Sequence, residues 1–129
     1  MTINSRQKGA QFEREVANYF RHMRWDEEAR RGQQFAGGPD SPDVVLPNLE
    51  GLHIEAKRVE KLNLYVAMSQ AIRDAGEKLP LVIHRKNCWE MLTTMRTKDM
   101  AKVATLFSAH GLLDLEWLDW YAYYSNNTK

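Results

Sequence analysis

The sequence predicts an α/β fold, a central mixed sheet flanked by helices, and three patterns predict it. Apolar residues at three- and four-residue spacing mark helices near the start, the middle and the end of the chain. Short apolar, partly β-branched runs bounded by turn residues lie between them and read as strands. Two of those strands are joined by a hairpin-length turn, so at least one pair is antiparallel and the sheet is not purely parallel. At 129 residues the chain has the size of one ordinary domain. It is read as a single domain over 1–129 with its core at about 5–110.

The first helix rests on Phe12, Val16, Tyr19, Phe20 and Met23, which give one apolar stripe from about residue 5 to 24, with Asn4 or Ser5 as the cap. A short strand is expected from about Asp26 to Arg31, followed by a loop through Gly37, Gly38, Pro39, Asp40, Ser41 and Pro42. Asp43 to Leu46 is a second strand. Pro47, Asn48 and Gly51 turn the chain into a third, Leu52 to Arg58, which pairs back on it. Along that strand Leu52, Ile54 and Ala56 point toward a core and His53, Glu55 and Lys57 point the other way.

A second helix is expected from about Asn63 to Lys78, ended by Gly76 and Pro80. Leu81 to His84 and Cys88 to Thr93 then read as strands around a tight basic turn, Arg85-Lys86-Asn87. Residues 97 to 110 read as a third helix stopped by Gly111. The aromatic tail, 111–129, fits strand and helix equally.

Composition narrows the class. Hydrophobic residues make up 43% and charged residues 27%, the balance of a globular protein. No stretch approaches the roughly 20 apolar residues of a membrane helix, and MTINSRQKG lacks the apolar centre of a signal peptide. The expectation is therefore a cytoplasmic protein with no membrane partner. A lone cysteine, Cys88, forms no internal disulfide and reads as a small buried apolar residue beside Trp89. Net charge is only +1, yet from Leu52 to Lys102 bases outnumber acids, whereas after Gly111 Asp114, Glu116 and Asp119 face only Lys129. A basic middle can hold phosphates while the acidic tail stays clear of them.

The chemistry lies in PDSPDVVLPNLEGLHIEAK, residues 39 to 57. A phosphodiester repels its nucleophile, and a divalent metal answers that by neutralising the phosphate, activating water and steadying the leaving alkoxide. Magnesium typically takes one or two carboxylates plus waters and phosphate oxygens. Asp43 and Glu55, on adjacent strands, could supply the carboxylates. Lys57, two residues past Glu55 on the same face, could orient the water and offset the developing charge. Taken alone, Glu-Ala-Lys on a strand is more often a solvated face, and an Asp after Pro is often only a turn former. Coupled across a hairpin, with an apolar counter-face, they point to a site.

At these residues the sequence resembles the PD-(D/E)XK nuclease superfamily: Pro42-Asp43 and Glu55-Ala56-Lys57 match its signature. The stretch Lys8-Gly9-Ala10-Gln11-Phe12-Glu13-Arg14-Glu15 resembles the opening helix of archaeal-type Holliday junction resolvases, which also occur in phages. The likeness covers roughly residues 6 to 84 and fades beyond Lys86. It implies a restriction-endonuclease-like fold and a Mg2+-dependent endodeoxyribonuclease, with Mn2+ able to substitute and no organic cofactor. It also implies a bacterial, archaeal or phage setting in recombination or repair.

Carried over by position, the resemblance makes Glu13, Asp43, Glu55 and Lys57 catalytic. Asp43, Glu55, the Ala56 backbone carbonyl and Glu13 become candidate metal ligands. Arg14 and Arg30 or Arg31 match basic positions that contact DNA in this family, with the choice between the two adjacent arginines open. Lys8 is a further candidate DNA contact, and Lys86, outside the likeness, sits on a turn where it could touch phosphate. Gln70 matches an active-site glutamine of the second helix, though the helical phase also allows Ser69. Helical geometry supports Glu13 independently, since it borders the apolar stripe beside Phe12 with small neighbours at Ala10 and Ala17. Glu15 reads as surface, and His53 as a packing or surface residue.

The implied substrate is a four-way DNA junction cut by paired symmetric nicks, which calls for a homodimer. Flaps, splayed arms or duplex DNA are alternative substrates, and a catalytically idle junction-binding protein is an alternative class. The loop FAGGPDSP is longer and richer in glycine and proline than the resolvase pattern. Trp117, Trp120, Tyr121, Tyr123 and Tyr124 of the tail either build a dimer interface or close the chain's own core.

Overall fold

The computed structural model describes residues 4–32 and 42–113. Helix α1, Ser5–His22, starts at Asn4, whose side chain accepts the Gln7 N–H at 2.8 Å. That bond satisfies one of the donors a helix start leaves open and contributes about 1 kcal/mol. Phe12, Val16, Ala17 and Phe20 are buried along one stripe, and Glu13 is buried with them.

The sheet has five strands in the order of the chain: β1 (Arg30–Arg31), β2 (Val44–Val45), β3 (Leu52–Arg58), β4 (Leu79–Arg85) and β5 (Leu92–Thr94). The β1/β2, β2/β3 and β4/β5 pairs are antiparallel, and β3/β4 is parallel. A parallel pair needs a crossover, and α2, Leu64–Ala75, supplies it. Asn63 caps α2 by accepting the Val66 N–H at 3.1 Å, and Gly76 ends it with φ of 59°. The last helix, α3 (Met100–Ala109), follows a 3-10 turn at Thr97–Asp99.

Two apolar layers sandwich the sheet. Phe12, Val16, Phe20, Val44, Ile54, Leu81 and Ile83 form the larger one, with Val103, Leu106 and Phe107 of α3 against it. Ala67, Met68, Ala71 and Val82 form the other, under α2. In the β3/β4 register Ile54 stands beside Leu81 and Ala56 beside Ile83, so these look toward α1. Glu55 beside Val82 and Lys57 beside His84 look toward α2.

Several boundaries differ from the sequence expectation. The first strand shrinks to Arg30–Arg31 because Asp26, buried, turns the chain: its carboxylate accepts the Glu28 N–H at 2.9 Å and the Asn48 N–H at 2.8 Å. The last strand is Leu92–Thr94 and not Cys88 to Thr93, because Lys86 to Trp89 close a turn first, with Trp89 N–H to the Lys86 carbonyl at 3.2 Å. Cys88 is correspondingly exposed in that turn at φ of 64°, not buried as expected. His53 and Glu55 are both buried, since α2 covers the strand face on which alternation places polar residues. The aromatic tail beyond Leu113 lies outside the described residues, as does most of FAGGPDSP. No helix among the described residues is long and apolar enough to cross a membrane.

Candidate active site

Where β2 and β3 begin to separate, the backbone hands over to side chains. Asp43 N–H donates to the Ile54 carbonyl at 3.0 Å, the first rung of the antiparallel pair. Further along β3 no residue of β2 meets Ala56; its N–H donates instead to Asp43 Oδ2 at 2.8 Å. In a strand, N–H and C=O of one residue leave on the same side, so the Ala56 carbonyl faces the same edge as the Asp43 carboxylate. Gly32 makes this possible. Its N–H donates to the Asp43 carbonyl at 2.8 Å, and a Cβ there would lie 2.2 Å from the Pro42 carbonyl oxygen.

Glu55 stands next in β3, 3% exposed, hydrogen-bonded to Asp43 and to His53. Burial, the Glu55 charge and hydrogen bond, and the more distant Glu13 push the Asp43 carboxyl from an ordinary 3.8 to about 7, against the pull of the Ala56 N–H. Burial presses upward on Glu55 too. The hydrogen bonds from His53 and Asp43, with the positive charges of His53 and Lys57, outweigh it and hold Glu55 below its ordinary range. Near neutral pH the pair thus shares one proton, carried on Asp43, as close carboxylates do.

The His53 ring, 2% exposed, places Nε2 at 2.9 Å from Glu55 Oε1. With Glu55 ionised, Nε2–H is the donor, leaving Oε2 for another partner. Lys57 follows on the same face, its Nζ 3.4 Å from Gln70 Oε1 of α2. The helical phase left open between Ser69 and Gln70 thereby falls to Gln70, and Ser69 is exposed. His84 flanks Lys57 in register, bonds Thr94 Oγ1 at 2.9 Å, and is pushed down in pKa by burial.

The structure gathers Asp43, Glu55, Ala56, Lys57 and Gln70. Glu13 is paired with Arg31, its Oε2 2.5 Å from Arg31 Nε, and its charge adds to the upward push on Asp43. Arg31 is thereby engaged within the protein, whereas Arg30 and Arg14 are exposed. Lys8 joins Lys57 in a groove at the start of α1, and Lys86 lies at the β4–β5 turn with Nζ 4.5 Å over the Trp89 ring. Glu15 binds Arg85 through both carboxylate oxygens, at 2.8 and 2.9 Å, instead of standing free at the surface.

Two contributors escape sequence reading. For His53 the signal was its place two residues before Glu55 on one strand face. For Gly32 there was no local signal, because its neighbour Pro42 is ten positions away.

Among the described residues no three of His, Cys, Asp and Glu are grouped to hold a metal ion by themselves. Two carboxylates and a carbonyl nevertheless fit a hard cation that takes its remaining ligands from water and phosphate. A cation bound between Asp43 and Glu55 would reverse the upward push on Asp43 and favour loss of its proton. Comparison of the chain with protein-family models, curated proteins and solved structures gave no match.

Proposed function

We propose that the protein is a metal-dependent phosphodiesterase of the PD-(D/E)XK type, with a restriction-endonuclease-like arrangement of its sheet. Within that class we read it as a Holliday junction resolvase, an endodeoxyribonuclease that nicks four-way DNA junctions in pairs. One observation carries the reading: Asp43 is drawn onto the Ala56 N–H beside a buried Glu55, with Lys57 on the same strand face. A purely structural hairpin has no need to set a half-buried carboxyl against a buried one, since each lost hydration costs free energy that an apolar pair would not.

Asp43, Glu55 and the Ala56 carbonyl would hold Mg2+, which supplies charge neutralisation and water activation when bound. The residues of the chain do the rest. His53 fixes one oxygen of Glu55 so that the other keeps a set direction. Asp43 would bind such a cation in its deprotonated form, releasing the proton it otherwise holds. Gln70 holds the Lys57 side chain, whose ammonium faces the charge growing on the phosphate oxygens and orients the attacking water. Glu13 is held by Arg31 behind Asp43 and adds negative potential there, and Arg14 and Arg30 are exposed for phosphate contact. Preference for a junction is supported by the likeness of the opening helix, Lys8 to Glu15, and requires recognition by shape and phosphates.

The test is cleavage of a labelled, immobile four-way junction in Mg2+, beside linear duplex and splayed-arm DNA, with Asp43→Ala as control. Paired symmetric nicks on the junction alone, abolished in Asp43→Ala, are expected. Equal cutting of duplex or arms would move the substrate and keep the chemistry. Tight junction binding without cutting would leave a binding module, and cutting by Asp43→Ala would remove Asp43 from the mechanism.

A further inference from the structure

The parallel register sets Arg58 beside Arg85 at the end of the sheet where the catalytic strand finishes. Beyond it the β4–β5 turn folds back over that end and is tied down. Arg58 donates to Asn87 Oδ1 at 3.0 Å, the Asn87 N–H donates to Glu60 Oε1 at 2.9 Å, and the Trp89 N–H closes the turn on Lys86. Cys88 takes a left-handed conformation to make this possible, an arrangement most side chains avoid. What the turn presents is a tryptophan 61% exposed with a lysine ammonium over its ring. Burial does not account for such a ring, because the apolar layers end before it.

A groove of about 380 Å³ leads from the site to this turn. Ala56, Lys57 and Arg58 form one side of it, Lys8 and Gly9 of α1 another, and Asn87 of the turn its end. Gly9 leaves its wall open, with nothing near where a Cβ would stand, and the first turn of α1 carries no acid. Three cations, Lys8, Lys57 and Arg58, line the groove against one carboxylate, Glu60, so it is net cationic, and it is continuous with the Lys57 end of the candidate site. That suits a sugar-phosphate strand, and the exposed Trp89 ring, two residues past Asn87 in the same turn, suits a base that has left its stack.

Resting on the nuclease reading, we propose that the β4–β5 turn captures an unpaired nucleotide: Trp89 stacks on its base while Lys8, Lys57 and Arg58 hold the phosphates of the same DNA strand. The consequence is selectivity for DNA with unpaired or easily unstacked bases next to the cut. Such bases occur at the centre of a junction or at the fork of a splayed arm, and not within a duplex. Aromatic stacking supplies this without reading sequence, since every base has a π-face.

The experiment measures binding in EDTA, so that no strand is cut, to three DNAs of equal length: a duplex, the same duplex with two unpaired central nucleotides, and a four-way junction. Wild type, Trp89→Ala and Trp89→Phe are compared, with melting temperatures to check folding. Trp89→Ala is expected to weaken binding to the unpaired and junction DNAs about tenfold and to leave the duplex unchanged, with Trp89→Phe restoring most of the loss. An equal loss on all three DNAs, or none, would overturn the capture role while leaving the nuclease reading standing. Wild type that binds none of the three would overturn the nucleic-acid reading itself.

Discussion

At the scale of residues the decisive feature is a carboxyl pair with opposed titrations. Asp43, raised to about 7, keeps its proton in the folded protein at pH values where the unfolded chain has released it. Its contribution to stability is therefore complete below about pH 4, its unfolded value, and is lost as pH rises through about 7. Glu55 has the opposite sign: its lowered pKa contributes above the unfolded value of 4.5 and is lost as pH falls through the folded value. The metal-free protein should consequently lose stability between pH 5 and pH 8, by on the order of 2–4 kcal/mol from Asp43. Asp43→Asn can still accept the Ala56 N–H and should flatten that decline. Mg2+ should raise the melting temperature of wild type more at pH 8 than at pH 5, because it must displace the proton. Melting curves over pH, with and without Mg2+, check this; a wild-type profile flat from pH 5 to 8 would show that the two carboxyls do not interact as described.

At the scale of elements, legibility followed locality. The stripe of α1, the Asn63 and Gly76 ends of α2 and the span of β3 were readable because each is set by residues within a few positions of one another. Asp43, Glu55 and Lys57 were readable for the same reason, since a hairpin brings its two arms together. Burial of His53 and Glu55 was not, because the covering helix is a separate element and alternation alone marks their face as polar. The start of β5 was misplaced because the Cys88-Trp89 run looks apolar, while the turn that exposes it depends on ties to Arg58 and Glu60 in another strand end. Gly32 belongs to the same long-range class. Gly32→Ala would press a methyl onto the Pro42 carbonyl, both groups being backbone-bound, so β1 or β2 must shift. A destabilisation of roughly 1–3 kcal/mol is expected, with a weaker response to Mg2+ and slower cleavage as Asp43 is displaced. Full activity at an unchanged melting temperature would mean that the contact relaxes without moving Asp43.

At the scale of the whole molecule, the number of sites per chain constrains the number of chains. Asp43, Glu55 and Lys57 form one candidate site, and paired nicks on two strands need two, held at fixed separation by a two-fold axis. The cations make the same point measurable. Arg31 and Arg85 are committed to Glu13 and Glu15, so under the nuclease reading the cations proposed for phosphate contact are six: Lys8, Arg14, Arg30, Lys57, Arg58 and Lys86. Six contacts correspond to a slope of about −5 in log affinity against log salt, and two protomers on one junction to about twice that. Binding titrations at several salt concentrations, run with the solution mass, should give the steeper slope together with a mass twice that of the chain. The shallow slope with a monomer mass would assign the protein to substrates cut on one strand at a time, such as flaps or splayed arms. In that event the Trp89 turn and its groove would still serve, because capture of an unpaired base is completed within a single chain.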